Sequence, residues 1–472
     1  MKLPLSGRTA TAAAWAALAA IVALAAFVRF FDLHTYGPTP GDDASYLDSV
    51  RAGYSSWRRE HPAPPAALRA FAPFLIANDL ARRSYRDMAF TSLAKPLYML
   101  KLSVIEGTIG LTLYRQQASL AIAGLAMVIV VFSIGRCLFG PAAGLIAALL
   151  AALSPWLVRY STYGVPTMDS LLLLLLAFRL LIAGRFSPLL TGICIGAAAL
   201  ANPTVIWMAV ALLGLGALRC RLVSAGENAP PAANGAARRL LGGLTLLLLG
   251  FLILPLLWEG LGLLQSRLLA APYRPFWAGF AQTAEDNSFH AALLPVDHLF
   301  WPRLLRATEG WPQLVLWALS LAWTALSARR RKLSGRFPLL ALLAAPLAAI
   351  AAATWSGSTQ CARHYVFAWA LELAAIGGMA AAWLQGRILF SGPRRFARGA
   401  ILFLLFLAAL ISAGGRLLDY RYSRQGAWLL AAWVRDNVPP GRVLAPANQP
   451  AALWPEIPRF RGWDELATRE KT

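Results

Sequence analysis

Long charge-free runs recur along this chain, and no other feature narrows its possible folds as much. A helix that crosses a hydrocarbon layer needs about 20 predominantly apolar residues. Runs of that kind occupy residues 12–28, 118–135, 141–158, 186–218, 240–258, 310–328, 337–362 and 399–415. Two further spans, 169–184 and 364–386, each carry one charge, Arg179 and Glu372. The run 186–218 is long for one pass and short for two. Arg185 flanks it on one side and Arg219 with Arg221 on the other, and Asn202-Pro203 supplies a turn signal midway, so it reads as a hairpin of two short helices. Eleven passes result. With 58% hydrophobic and 14% charged residues and a mean hydropathy of +0.56, the expected fold class is an all-α polytopic membrane protein.

The first run, preceded by Lys2 and Arg8, has the look of a signal peptide, but the many later spans favour a signal anchor. The chain carries 44 Lys and Arg against 22 Asp and Glu, a net charge of +22 that in a soluble protein would suggest a nucleic-acid partner. The charges are not distributed that way. One set of connecting segments holds Lys2, Arg8, Arg136, Arg185, Arg219, Arg221, Arg238, Arg239, the run Arg329-Arg330-Arg331-Lys332, Arg336, Arg387, Arg394, Arg395 and Arg398. These seventeen bases stand against the single acid Glu227. By the positive-inside rule these segments are cytoplasmic, with the N-terminus inside and the C-terminus outside. The excess is therefore topological, and no nucleic-acid partner is expected.

The same alternation places three polar segments on the outer face. They are the first outer loop at 31–117, a second at 259–309, and a tail from 416 to 472 expected as a short outer appendage to the membrane region 1–415. Ala66–Leu80 and Leu97–Ile109 read as amphipathic helices of the first loop that could lie on the membrane. In the tail, Gly426–Val438 has helical periodicity, Pro439-Pro440-Gly441 stops it, and Arg442–Ala445 could form one strand. Cys137, Cys194, Cys220 and Cys361 show no CxxC spacing, so neither a disulfide framework nor a zinc site is supported.

Candidate chemistry gathers on the outer face. Gly41-Asp42-Asp43-Ala44 offers adjacent carboxylates about a dozen residues past the first span; such a pair can coordinate a divalent cation or supply a general base, and an Asp there can equally cap the helix that begins near Ala44. Asp169 enters the span 169–184, where either a helix-capping role or a site role suits it. The loop before it contributes Arg159, Tyr160 and Tyr163, residue types that contact phosphates and sugars. Lys95 in Ala94-Lys95-Pro96-Leu97-Tyr98 and Arg363 in Cys361-Ala362-Arg363-His364-Tyr365 lie near the outer surface, where a lone base also serves as a headgroup anchor. His364 by itself would satisfy a local hydrogen bond as readily as a metal.

Taken together, Ala94-Lys95-Pro96-Leu97-Tyr98, Ser133–Gly140, Leu153-Ser154-Pro155 and Arg159-Tyr160-Ser161 resemble the shared core of the GT-C membrane glycosyltransferases. The branch resembled is that of the bacterial aminoarabinose transferases and protein O-mannosyltransferases. The resemblance implies that Asp42 is the catalytic Asp, that Asp43 stands where Glu is commoner, that Lys95 is the family's basic position, and that Asp169 is the acid entering the fourth span. It also implies that Arg363, His364 and Tyr365 form the late motif, with His interposed between Arg and Tyr.

The function so implied is transfer of a sugar from a polyprenyl-phosphate-linked donor to a glycan, lipid or protein acceptor at the outer face of a bacterial inner membrane. Its mechanism would be inverting, with Asp42 as general base. Lys95, Arg363, His364 and Arg159 would bind the donor phosphate; Asp43, Asp169 and Tyr365 would contact substrate or metal. A magnesium or manganese ion on Asp43 is compatible with hard oxygen ligands, although the sequence does not require one. The alternative is a transporter or flippase of a lipid-linked sugar, which would place polar residues at mid-span and show repeated halves.

Overall fold

Several helix breaks fall where a backbone breaker stands in the sequence, as at Gly140-Pro141, Ser154-Pro155 and Asn202-Pro203. The protein, described here as a computed structural model, covers residues 7–33, 42–63, 65–82, 95–224, 233–268, 275, 298–330, 333–355, 365–386, 395–437, 444–445 and 461–462. The helices are α1 (Gly7–Phe30), α2 (Asp42–Glu60), α3 (Ala66–Arg82), α4 (Pro96–Ile109), α5 (Leu113–Phe139) and α6 (Pro141–Leu153). They continue with α7 (Pro155–Thr162), α8 (Thr167–Leu181), α9 (Pro188–Ala201), α10 (Ile206–Ser224) and α11 (Ala233–Leu268). The last five are α12 (Phe300–Thr308), α13 (Trp311–Arg329), α14 (Leu333–Trp355), α15 (Val366–Leu384) and α16 (Arg395–Asn437).

Thr112 caps α5 by accepting from the Arg115 amide at 3.2 Å, and Gly140, with φ of 97°, ends it so that Pro141 can open α6 directly. Asn202 caps the 3-10 turn Pro203–Val205 between α9 and α10, the break expected at Asn202-Pro203. The amphipathic helices expected in the first outer loop are α3 and α4.

Among the described residues seven helices are long and apolar enough to cross a membrane: Thr11–Phe30, Leu113–Phe139, Pro203–Ser224, Ala237–Arg267, Arg336–Thr354, Val366–Leu384 and Gly399–Arg421. The run expected as one span at 141–158 is instead two helices, α6 and α7, bent by 59° at Ser154-Pro155. The remaining expected spans correspond to α8 and α9, of 15 and 14 residues, and to α13, which interleaves Trp311, Gln313, Trp317, Ser320, Trp323 and Thr324 among its leucines. The chain is a multi-pass, all-α membrane protein, its only regular β structure among the described residues being the two-residue parallel pairing of Leu444–Ala445 with Arg461–Gly462. The tail is not set off from the last span: α16 runs unbroken from Arg395 through the expected helix 426–438 to Asn437.

Helix α15 is the axis of the bundle. Of its most apolar window 89% is buried, against 11% for α1 and for α11 and 17% for α16, which face outward with rows of exposed leucines. It packs on α5, α6, α8, α13 and α14. Glu372 lies in this helix, 1% exposed, beside Trp317 of α13. Small residues let backbones meet: a Cβ on Gly196 of α9 would strike the Phe251 carbonyl of α11, and one on Gly250 of α11 would strike the Leu189 carbonyl of α9.

Contacts sort the helix ends into two opposed sets, as alternating passes require. At one end Arg29, Tyr98, Lys101, Thr162, Asp169, Glu309 and Tyr420 join α1, α4, α6, α7, α8, α12 and α16. At the other, Arg179 donates to Ser133 at 2.7 Å, Arg219 stacks on Phe337 and donates to the Ala183 carbonyl, and Phe139 packs on Trp323.

Candidate active site

Helix α4 begins at Pro96, a ring suited to the first helical position, and this fixes Lys95 at its head. Lys95 is 8% exposed. Its ammonium donates to the Tyr46 hydroxyl of α2 and sits 4.6 Å from the centre of the same ring, so a partly desolvated cation is met by an oxygen and a π face together. The Tyr46 ring stands edge-on to Tyr98, centroids 5.2 Å apart and planes at 86°.

The Tyr98 hydroxyl donates to the Gly164 carbonyl at 2.6 Å. Gln116 of α5 donates to the same carbonyl at 2.8 Å and to the Tyr98 hydroxyl at 3.1 Å. These bonds tie α2, α4, α5 and the α7–α8 turn into one assembly. Two turns along α4, Lys101 lies 5.1 Å from the Tyr98 ring centre and pairs with Asp169 at 2.5 Å. Two lysines thus bracket a pair of tyrosines.

The structure distributes the sequence candidates unevenly. Lys95 and Asp169 belong to this assembly. The Lys101 ammonium stands against the Asp169 carboxylate. Asp42 and Asp43 form the first turn of α2, one turn ahead of Tyr46; their side chains lie outside the described residues, as do Arg363 and His364. Tyr365 is fully buried, sharing a hydrogen bond of 3.2 Å with Thr354 and packing on Trp301 and Phe300 at 5.7 and 5.5 Å between centroids. Arg159 is exposed on another side of the α7–α8 turn, bonded to the Tyr163 hydroxyl and stacked on Tyr163 and Tyr420 at 4.9 and 6.0 Å. Its described contacts are with Tyr163 of that turn and Tyr420 of α16. No group of three or more His, Cys, Asp or Glu suited to a metal occurs among the described residues.

The residue-by-residue reading missed several groups. Tyr46, Tyr98 and Lys101 are partners that only the fold brings to Lys95 and Asp169. Asp48 of α2 has one buried, unbonded carboxyl oxygen, and burial pushes its pKa up to about 6 against the opposing pull of Arg51. Arg29, Ser154 and Glu309 form a buried cluster beside α7.

No protein-family model matches the sequence, and neither does any curated protein. Solved structures do. ArnT from Cupriavidus metallidurans bound to undecaprenyl phosphate superposes with a TM-score of 0.57 at 16% identity, over 96% of this chain and 87% of that one. The chain has the ArnT fold. The apo state of the same enzyme matches with a TM-score of 0.55 at 16% identity, over 97% and 88% of the two chains. The Archaeoglobus fulgidus oligosaccharyltransferase, in complex with Zn and sulfate, gives a TM-score of 0.46 at 16% identity over 90% of this chain and 56% of that one. The all-α polytopic fold expected from the sequence is the fold this chain shares with ArnT.

Proposed function

We propose that this protein is a glycosyltransferase that moves a sugar from a polyprenyl-phosphate-linked donor to an acceptor at the outer face of a bacterial inner membrane. The observation that carries this reading is Lys95: a buried ammonium on Tyr46, one helical turn from Asp42, at one end of a membrane bundle with the ArnT fold. The ArnT of Cupriavidus metallidurans was crystallised with undecaprenyl phosphate, the carrier that such a donor would release.

Asp42 accepts the proton of an acceptor hydroxyl as that oxygen bonds to the anomeric carbon. The carbon–oxygen bond to the lipid phosphate breaks on the opposite face, and the polyprenyl phosphate departs with the electron pair, inverting the centre. Charge grows on the departing phosphate, and Lys95 neutralises it, joined by Arg363 and His364 of the late motif. A preorganised cation in a site screened from water acts without first reorganising solvent. Arg159 meets the donor or acceptor from the α16 side. Asp43 is the residue that would hold a divalent cation; the described residues hold no metal cluster, and no step above uses one.

Full-length protein in reconstituted membranes is expected to transfer sugar, and Asp42→Ala to abolish transfer at normal protein level. Turnover in that variant would remove Asp42 as the base.

A further inference from the structure

A helix break buried inside a bundle strands hydrogen-bonding groups where protein shuts out water. The last carbonyls of α6 and the first amides of α7 lose their helical partners at Ser154-Pro155, and buried there they need other partners. The structure accounts for these groups in turn. Arg29, 0% exposed near the end of α1, donates to the carbonyls of Ala151 at 3.2 Å and Ala152 at 3.1 Å. It also donates to the Ser161 hydroxyl on the flank of α7 at 3.1 Å. Pro155 has no amide hydrogen to satisfy.

Glu309, 2% exposed, accepts from the Trp156 amide at 3.1 Å and from the Ser154 hydroxyl at 2.5 Å. The Ser154 oxygen in turn accepts from the Leu157 amide and from the Trp369 indole, both at 3.2 Å. A cation therefore sits on the carbonyl end of α6 and a carboxyl on the amide end of α7, each matched to the helix pole it faces.

Both groups are anchored from behind. The Glu309 carbonyl accepts from Ser412 of α16 at 3.1 Å, Arg416 donates to the neighbouring Ala307 carbonyl, and Gln313 donates to the Ala409 carbonyl at 2.7 Å. Gly124 of α5 leaves the space that Arg29 and Ser161 fill; a Cβ there would overlap both. At its far end α7 is held by a 2.7 Å hydrogen bond between Thr162 and Tyr420, and two residues later Gly164 meets Tyr98 and Gln116.

We propose that Arg29 and Glu309 are positioning residues, a clamp of a buried guanidinium and a buried carboxyl that holds α7 bent away from α6 and thereby fixes the Gly164 turn against the Lys95–Tyr46–Tyr98 assembly. The functional half of this proposal rests on the phosphate-binding role given to Lys95 above; the clamp itself does not.

The test compares purified full-length wild type with Glu309→Ala and Glu309→Gln. Two readouts serve: amide exchange in α7, and binding of undecaprenyl phosphate. Gln keeps an oxygen for the Trp156 amide and the Ser154 hydroxyl, whereas Ala keeps nothing. In Glu309→Ala, exchange at Trp156 and Leu157 is expected to rise about tenfold or more relative to α5, with lipid phosphate bound about tenfold more weakly. Glu309→Gln should bring both back to within about threefold of wild type.

Unchanged α7 exchange in Glu309→Ala overturns the clamp, and raised exchange with unchanged binding overturns its link to the site. Should Glu309→Ala fail to fold, Ser154→Ala and Gly124→Ala perturb the same clamp from its two sides. Exchange raised in α7 above other helices supports the proposal, and a uniform rise overturns it. If wild type binds no undecaprenyl phosphate, the Lys95 reading fails, while the α7 exchange pattern still decides the clamp.

Discussion

An ammonium buried to the extent of Lys95 is costly unless its hydrogens are met, and a tyrosine hydroxyl backed by its own ring meets one while leaving the charge intact for an anion. Lys95→Met is therefore expected to lower transfer by about 10²–10³-fold, the scale seen when one transition-state donor is removed. Tyr46→Phe keeps the ring and loses the hydroxyl, and should give a smaller loss; steady-state turnover of both variants in reconstituted membranes checks the order.

Burial pushes the Glu309 carboxyl up to about 7, against hydrogen bonds from Ser154, Trp156 and Trp369 and the nearby charge of Arg416. The folded protein thus holds this proton more tightly than the unfolded chain. The resulting stabilisation is full below the ordinary carboxylate pKa and is lost as pH rises through about 7, a change of about 3 kcal/mol at most. Thermal stability in detergent should fall across that window in wild type and much less in Glu309→Gln.

The sequence could show Lys95 and Asp169 as charges near the outer surface, because side-chain type and hydropathy are local. It could not show Tyr46 or Lys101 as their partners. Those pairings cross 49 and 68 residues, and Glu309 reaches Ser154 across 155.

Elements were more legible than partners, because a spanning helix needs only an unbroken apolar run while a kink depends on what satisfies the freed backbone. Asn202-Pro203 announced its break. Ser154-Pro155 carries the same proline signal inside an apolar run that looks continuous, and only Arg29 and Glu309, both remote in sequence, make the bend tenable. The α16 helix is the converse case: its span and its polar continuation differ in composition while the helix runs on through 416 to Asn437.

Helix packing carries its own prediction. Gly196→Val would drive methyl groups into the Phe251 backbone where α9 and α11 touch, and overpacking of this kind costs about 1–3 kcal/mol. A lowered melting temperature in detergent would register it; an unchanged one would mean that the two helices are not held this close.

At the scale of the whole molecule, the charge asymmetry and the contacts between helix ends make a joint statement about sidedness. Reporter fusions at Gly235 should read inside, and fusions at Asn287 and at the C-terminus outside. An outside signal from Gly235 would overturn the eleven-pass arrangement expected from the sequence.

The depth at which α15 is buried bears on assembly as well as on packing. Each helix it packs on, α5, α6, α8, α13 and α14, precedes it in the chain, so when α15 leaves the ribosome the slot it will fill has already been made. A segment that carries Glu372 can then pass from the insertion machinery into a waiting protein cavity, where the carboxyl need never meet lipid. The plug follows its socket in chain order, and α16, on the outside of the bundle, comes after both.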